Sequence, residues 1–311
     1  MTFWSSFLSV LAALLLAPLL PGVINRAKAV VAGRRGPPLC QLYYDLWKLL
    51  RKGAVYSRTT TWVFRFAPCV TLAALLLGLL LLPAPGVAAP IACPGSLFIL
   101  IGLLALARFC TVVAALDTGS SFEGMGGSRE VQYAVLAEPA LLLALAALAR
   151  TSGTFSLSDM FLDVLPRLWQ TTAPAVGLLA VALIIVLLAE NCRIPFDDPN
   201  THLELTMIHE VMVLDYGGPD LAFILYGASL KLWMFGALLV NLLLPGSLAA
   251  NPLAGVGWLF GGLLVVAVVV GLVESAMARL RLLQVPQLLL GATALAALGL
   301  LLVLRSVESF P

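Results

Sequence analysis

Charge is scarce in this chain. Of its 311 residues, 11% are Asp, Glu, Lys or Arg, 61% are hydrophobic, and the mean hydropathy is +1.04. A soluble domain carries about a quarter charged and about half apolar residues, so this composition calls for lipid as the solvent. Histidine is scarcer still: there are two, His202 and His209, both in one connecting segment. No apolar span holds an imidazole, which excludes the paired axial ligands of a membrane b-haem. The five cysteines, Cys40, Cys69, Cys93, Cys110 and Cys192, never fall at a C-x-x-C spacing. Iron–sulfur and zinc sites need several thiolates or imidazoles converging on one metal, and a Cys in an apolar run behaves as a small hydrophobe. An H-E-x-x-H spacing, a phosphate loop and a nucleophile constellation are also missing. No internal repeat of the kind that marks many secondary transporters is visible. No basic segment precedes the first apolar run, Phe3 to Leu20, and no clear small-residue cleavage site follows it. It reads as a retained span rather than a signal peptide.

What is present is a series of long apolar runs. A span needs roughly 20 such residues to cross about 30 Å of hydrocarbon. Eight stretches qualify: 3–24, 66–85, 95–116, 131–150, 172–190, 221–244, 253–275 and 285–304. The expected fold is therefore all-α, a polytopic membrane protein forming a single transmembrane domain over residues 1–311.

The connecting loops alternate in charge. The first carries Arg26, Lys28, Arg34, Arg35, Lys48, Arg51, Lys52, Arg58 and Arg65 against a single acid, Asp45. The third, fifth and seventh hold Arg129, Arg193 and the Arg279/Arg281 pair, whereas the second and sixth have no charge at all. The positive-inside rule places the odd loops in the cytoplasm and both termini outside. Within the first loop, Leu39, Leu42, Tyr43, Leu46, Leu49 and Leu50 recur at helical spacing, with Gln41, Asp45, Lys48, Arg51 and Lys52 on the other face. That predicts an amphipathic helix over about residues 39–52, lying in the interface and anchored to anionic lipid or to a docked protein.

An ionisable group at bilayer depth costs roughly 2.5–3.5 kcal/mol on insertion scales, so each one asks for a reason. Arg108 lies inside the third span, Glu138 inside the fourth beside Pro139, and Lys231 inside the sixth. Glu130, Glu190 and Glu274 stand near the same ends of the fourth, fifth and seventh spans. Proline at 139 frees a carbonyl one turn earlier and makes a polar notch beside the carboxylate. These groups share one half of the membrane. Such a pattern suits a module that takes up protons and moves them laterally, with structural ion pairing as the plainer alternative. The fifth loop adds Asp197, His202, Glu204, His209, Glu210, Asp215 and Asp220. Its 202–210 stretch looks helical, with both imidazoles on one face. Histidine among carboxylates suits proton exchange near neutral pH, and no metal site is expected.

Taken in order, several segments resemble one family over essentially the whole chain. They are Arg34-Arg35-Gly36-Pro37 with Asp45 and Lys48-Leu49-Leu50, then Leu116-Asp117-Thr118-Gly119-Ser120 and Ser128-Arg129-Glu130. Glu138-Pro139, Glu190 with Pro195-Phe196-Asp197, and Met277-Ala278-Arg279-Leu280-Arg281-Leu282 follow. The pattern is similar to the H subunit (subunit 1) family of respiratory complex I, and more closely to its relatives in membrane-bound hydrogenases of the formate hydrogenlyase and hydrogenase-4 type. The chain departs from those relatives after Pro-Phe-Asp, where their Glu-rich stretch is replaced by Asp198-Pro199-Asn200-Thr201-His202.

The resemblance implies a non-catalytic subunit that seats a peripheral redox arm on an ion-translocating membrane arm in a cell's inner membrane. Its implied partners are hydrogenase-type or complex I-type peripheral subunits, antiporter-like membrane subunits and the lipid bilayer, with no nucleic acid. No cofactor is expected on this chain; iron–sulfur clusters and a nickel–iron centre, or a quinone, would belong to partners. Glu130, Glu138, Glu190, Asp197, Glu204, Glu210, Asp215 and Glu274 are the implied proton path, with Arg108, Arg129, Arg193 and Lys231 as charge partners. Arg34, Arg35, Asp45, Lys48, His202 and His209 are the implied docking face. A quinone-site subunit of complex I remains the alternative, and an autonomous transporter the distant third.

Overall fold

The structure is a computed structural model, and it describes residues 2–164, 168–169, 171–197, 207–244 and 251–308. Among these there is no β-strand. Among the described residues, the helices of ten residues or more are α1 (Thr2–Leu16), α2 (Leu19–Val31), α3 (Gln41–Leu50), α4 (Trp62–Leu80), α5 (Ser96–Asp117), α6 (Ser121–Ser152), α7 (Ala173–Glu190), α8 (Gly218–Leu243), α9 (Pro252–Ala276) and α10 (Val285–Glu308). Helices α4 to α10 are each long and apolar enough to cross a membrane, and the bent α1–α2 pair makes an eighth span if taken as one. The multi-pass architecture thus matches the expectation.

Two departures from the sequence reading have a clear physical cause. The run 3–24 is not one straight span, because the chain bends by 52° between α1 and α2. Pro18 has no amide to give Leu14, so the helical ladder breaks there. The freed acceptors are supplied from elsewhere. The Tyr226 hydroxyl donates to Leu14 O at 2.8 Å, and the Tyr43 hydroxyl donates to Leu15 O. The same device recurs in α4, where Pro68 leaves Phe64 O without its amide and the Tyr216 hydroxyl donates to that oxygen at 2.8 Å. The Tyr216 ring also stacks on the Phe64 ring, centroids 3.9 Å apart. In lipid, where water cannot serve, a freed carbonyl must find such a donor.

The second difference is at α6, which begins at Ser121 rather than residue 131. The Gly-rich stretch before Arg129 reads as loop by propensity. Packing decides otherwise, since Gly126 lets the 208–213 segment lie against the helix: a Cβ there would meet Val211 Cγ1 at 2.6 Å. The Leu-Asp-Thr-Gly segment also gains a reason. Asp117 accepts from the amide of Thr61 at 2.7 Å and its hydroxyl at 2.9 Å, and Thr61 in turn caps α4 by accepting from Val63 N. Gly119 then ends α5 at a left-handed φ of 71°, which glycine adopts without steric cost.

Of the seven single spanning helices α8 is the most enclosed and α10 the most open to the surroundings. It packs on α3, α4, α7 and α9, while α10 lies along α6 and α7 and α9 along α2. Large apolar side chains such as Trp4, Phe66, Phe109 and Leu301 point outward, as lipid-facing residues do. Glycine permits close backbone approach at helix contacts; a Cβ on Gly271 would meet Ile24 O at 3.0 Å.

Candidate coupling site

Chain alternation brings the end of α5, the start of α6, the end of α7 and the start of α8 to one end of the bundle. Four of these helices each contribute charge to a single network just inside that end. Arg108 of α5 is its hub. Its guanidinium bonds Glu138 of α6 and Glu190 of α7, and its Nε lies 3.5 Å from Glu130 of α6. Lys231 of α8 holds the second oxygen of Glu190 at 2.9 Å. Glu190 is 7% exposed, so it is a buried carboxylate bridging two cations. Buried charges persist when paired and hydrogen-bonded in this way.

A second network secures the segment after α7. Asp197 is 2% exposed and accepts from Arg279 at 2.9 Å, from Ile208 N at 2.8 Å and from His209 N at 3.4 Å. Glu274 of α9 meets Lys28 of α2 at 2.8 Å and Arg193 at 3.6 Å. Arg129 donates to Met207 O at 3.0 Å. The Pro-Phe-Asp and Ala-Arg-Leu-Arg segments, distant in sequence, therefore meet through Asp197 and Arg279.

Between the networks lies a cavity of about 240 Å³. Arg108, Glu130, Glu190, Lys231, Asp197 and His209 line its polar part, while Thr71, Leu75 and Leu104 form apolar wall. A single water needs ~10–15 Å³, so the space holds on the order of ten waters among groups able to exchange protons. Pro21 of α2, Leu42 of α3, and Ile224 and Leu225 of α8 also border it.

His209 and Glu210 differ from their expected setting, a helix over 202–210 with its histidines on a wet outer face. Glu210 opens a 3-10 turn, Glu210–Val213, and His209 borders the cavity instead. The reason is Asp197, whose carboxylate takes the amides of Ile208 and His209 and draws the segment inward. Burial, and then the Lys231 ammonium, push the His209 imidazole down to about 4. His202 and Glu204 lie outside the described residues. Arg34, Arg35 and Lys48 are exposed at the charged end, and Asp45 is half-buried, accepting from Gln41 at 3.0 Å.

Sequence reasoning missed Glu123. It is 1% exposed in the first turn of α6 and accepts from Asp215 N at 3.3 Å. Its seven-residue spacing from Glu130 was the available signal, hidden by reading residues 117–130 as loop. Cys192 also borders the cavity, its thiol pushed well up by burial and by Glu130, whose Oε2 is 4.0 Å away. Among the described residues, no three His, Cys, Asp or Glu side chains are grouped to hold a metal ion.

Comparison with known proteins fits this geometry. The chain is 34% identical over 271 residues to formate hydrogenlyase subunit 4 of Escherichia coli (strain K12), covering 86% of this chain and 87% of the relative. It is 35% identical over 232 residues to hydrogenase-4 component C of the same organism, covering 75% and 72%. Similarity to the H subunit of the NADH-quinone oxidoreductase of Syntrophotalea carbinolica is 28% over 272 residues, covering 84% and 79%. The fold is shared with a chain of the membrane-bound sulfane sulfur reductase, an archaeal respiratory membrane complex, at a TM-score of 0.82 and 23% identity over 97% of this chain and 99% of that one. With its residues 5–305 matching the NADH dehydrogenase family, this chain belongs to that family.

Proposed function

We propose that this chain is a membrane-arm subunit of an energy-converting redox complex of the hydrogenase type, seating the peripheral redox arm and coupling its turnover to proton movement. The observation that carries the reading is the Arg108–Glu190–Lys231 bridge with Glu130 and Glu138, set beside a cavity at one end of the bundle. A carboxylate beside a cation gives up its proton more readily than one alone in apolar surroundings. A shift of the 207–213 segment, which touches both Asp197 and Arg129, would change those pairings and so load or release a proton.

On this reading the charged end faces the cytoplasm of a cell with an inner membrane, and both termini lie on the outer side, in keeping with the basic first loop. The exposed Arg34, Arg35 and Lys48 offer docking charge to a peripheral subunit, and antiporter-like subunits would continue the proton route. Redox centres would be held by the partners, nickel–iron and iron–sulfur in this reading. Residues Pro21, Leu42 and Ile224 at the cavity favour one second reading, in which an apolar quinone reaches the site between α2, α3 and α8.

Two experiments test the proposal. Purification of the tagged chain in mild detergent should bring down a nickel–iron large subunit with antiporter-like proteins; NADH-oxidising subunits would favour the quinone reading. Complexes carrying Glu138→Gln or Glu190→Gln should assemble yet take up fewer protons in sealed vesicles. Unchanged uptake would remove the coupling role.

A further inference from the structure

Glu274 joins two parts of the chain that have separate tasks. Its side chain is fully buried, and it meets Lys28 of α2 at 2.8 Å through one oxygen and Arg193, beyond α7, at 3.6 Å through the other. Neither contact is aligned as a hydrogen bond. Charge alone holds both cations, and that attraction varies smoothly with distance. Moving one cation therefore changes both the place of the carboxylate and the field at the other. Among the described residues, Arg193 lines the cavity and Glu274 does not.

On the Lys28 side the contacts run to the docking charges. Lys28 lies in the last turn of α2, and the Arg34-Arg35-Gly36-Pro37 segment folds back onto that turn. Arg34 N donates to Ala29 O at 2.8 Å, and a Cβ on Gly36 would meet Ala29 Cβ at 2.6 Å. Helix α2 is pressed as closely on α9, where a Cβ on Gly271 would meet Ala27 Cβ at 2.7 Å. Arg34 and Arg35 are themselves exposed. A group that binds them pulls on backbone packed directly against α2.

On the Arg193 side the contacts run to the coupling site. Arg193 O accepts from Phe196 N at 2.8 Å and from Asp197 N at 3.3 Å, so Arg193 opens the turn that sets Asp197. Pro195 O ties the same turn to the segment after α9 by accepting from Leu280 N at 3.0 Å. Asp197 then holds Arg279 and the amides of Ile208 and His209. Each link is a packed or charged contact of the kind through which sites influence one another.

We propose that Lys28, Glu274 and Arg193 form a relay that passes docking of an acidic peripheral partner at Arg34 and Arg35 to the Asp197 turn, with Glu274 a positioning residue rather than a carrier of protons. Docking draws the end of α2 and Lys28 off Glu274, the carboxylate closes on Arg193, and the turn tightens. The inference rests on the docking and coupling roles proposed above and adds the link between them.

The test follows amide hydrogen exchange by mass spectrometry in the assembled complex and in membranes washed free of the peripheral arm. In the native chain docking should slow exchange of the 207–213 segment about tenfold, within the usual span of coupling between sites. Lys28→Met and Glu274→Gln should each abolish that difference, and Lys28→Arg should restore it. Protons taken up per electron in sealed vesicles should fall in both disabling variants, with no further fall when they are combined. A proton carrier at 274 would instead leave Lys28→Met at the wild-type ratio, and slowing that survives in Lys28→Met would be direct cover by the partner; either result overturns the relay. If the Lys28 and Glu274 variants match wild type while Glu190→Gln loses uptake, the relay falls and the coupling role stands. If Glu190→Gln also keeps uptake, the coupling role falls with it. Should Glu274→Gln not assemble, the two Lys28 variants decide.

Discussion

Lys231 and Arg108 hold opposite oxygens of one carboxylate, that of Glu190, so that α5, α7 and α8 meet at a single buried group. Removing one partner of a buried pair costs about 3–5 kcal/mol, because the other is left uncompensated. Lys231 keeps a fifth of its side chain exposed, which places Lys231→Met at the lower end of that range. The double variant Lys231→Met/Glu190→Gln should be less destabilised than the sum of the single changes. Thermal unfolding of the purified assembly in detergent gives the comparison, and additive losses would mean the contact contributes nothing.

The imidazole of His209 is held down to about 4 by burial first and by Lys231 second. In an unfolded chain a histidine takes up its proton near pH ~6.5. The unfolded state therefore binds a proton that the folded state refuses. The contribution is fully present above about pH 6.5 and is lost as pH falls toward 4, on the order of 3 kcal/mol across the whole window. Melting temperature followed from pH 7 down to 5 should show this slope in the native chain and a shallower one in His209→Gln.

Gly22 faces the backbone leading into α3: a Cβ added there would lie 2.1 Å from Leu39 O. Backbone cannot step aside as a flexible side chain does, so Gly22→Ala should push the interfacial helix off α2. Overpacking of this kind costs about 1–3 kcal/mol. Proteolysis within residues 32–40 should speed up in the variant while the spans stay protected. A wild-type cleavage pattern would count against the contact.

The Tyr216 hydroxyl serves an oxygen that Pro68 leaves unserved, and Tyr216→Phe keeps the ring stack while removing the donor. The loss should be about 1–3 kcal/mol, the cost of a buried unsatisfied acceptor. Burial also pushes this phenol above its ordinary range, with Asp220 the next cause. Its contribution is thus complete below pH ~10 and fades as pH rises beyond it. Ultraviolet titration of native and variant chains should show one late-ionising phenol missing from the variant.

Much of the fold was legible because a membrane span is a long, simple signal, and seven of the runs became single helices. The bend at Pro18 was not legible, since hydropathy averages over a lone proline inside an apolar run. The early start of α6 was hidden by Gly124, Gly126 and Gly127, residues that propensity reads as loop; Gly126 in particular makes room for the 208–213 turn. At the site, Arg108, Glu138, Glu190 and Lys231 stood out as charges in lipid, yet their mutual pairing depended on helix order around the bundle. Asp197 with Arg279, and Lys28 with Glu274, lie too far apart in sequence for any local pattern to join them. Glu123 was missed for a local reason: a residue assigned to a loop is assumed to be wet.

Tyr216 and Tyr226 sit ten residues apart, one just before α8 and one within it, and each mends a gap made by proline in a different helix. Helix α8 is thereby latched to α1 and to α4 by single hydroxyls rather than by packing alone. Were α8 to slide along its axis by one turn, both latches would open together, and two acceptors with no water in reach would be stranded at once. The register of this helix against its neighbours is therefore fixed by two oxygens.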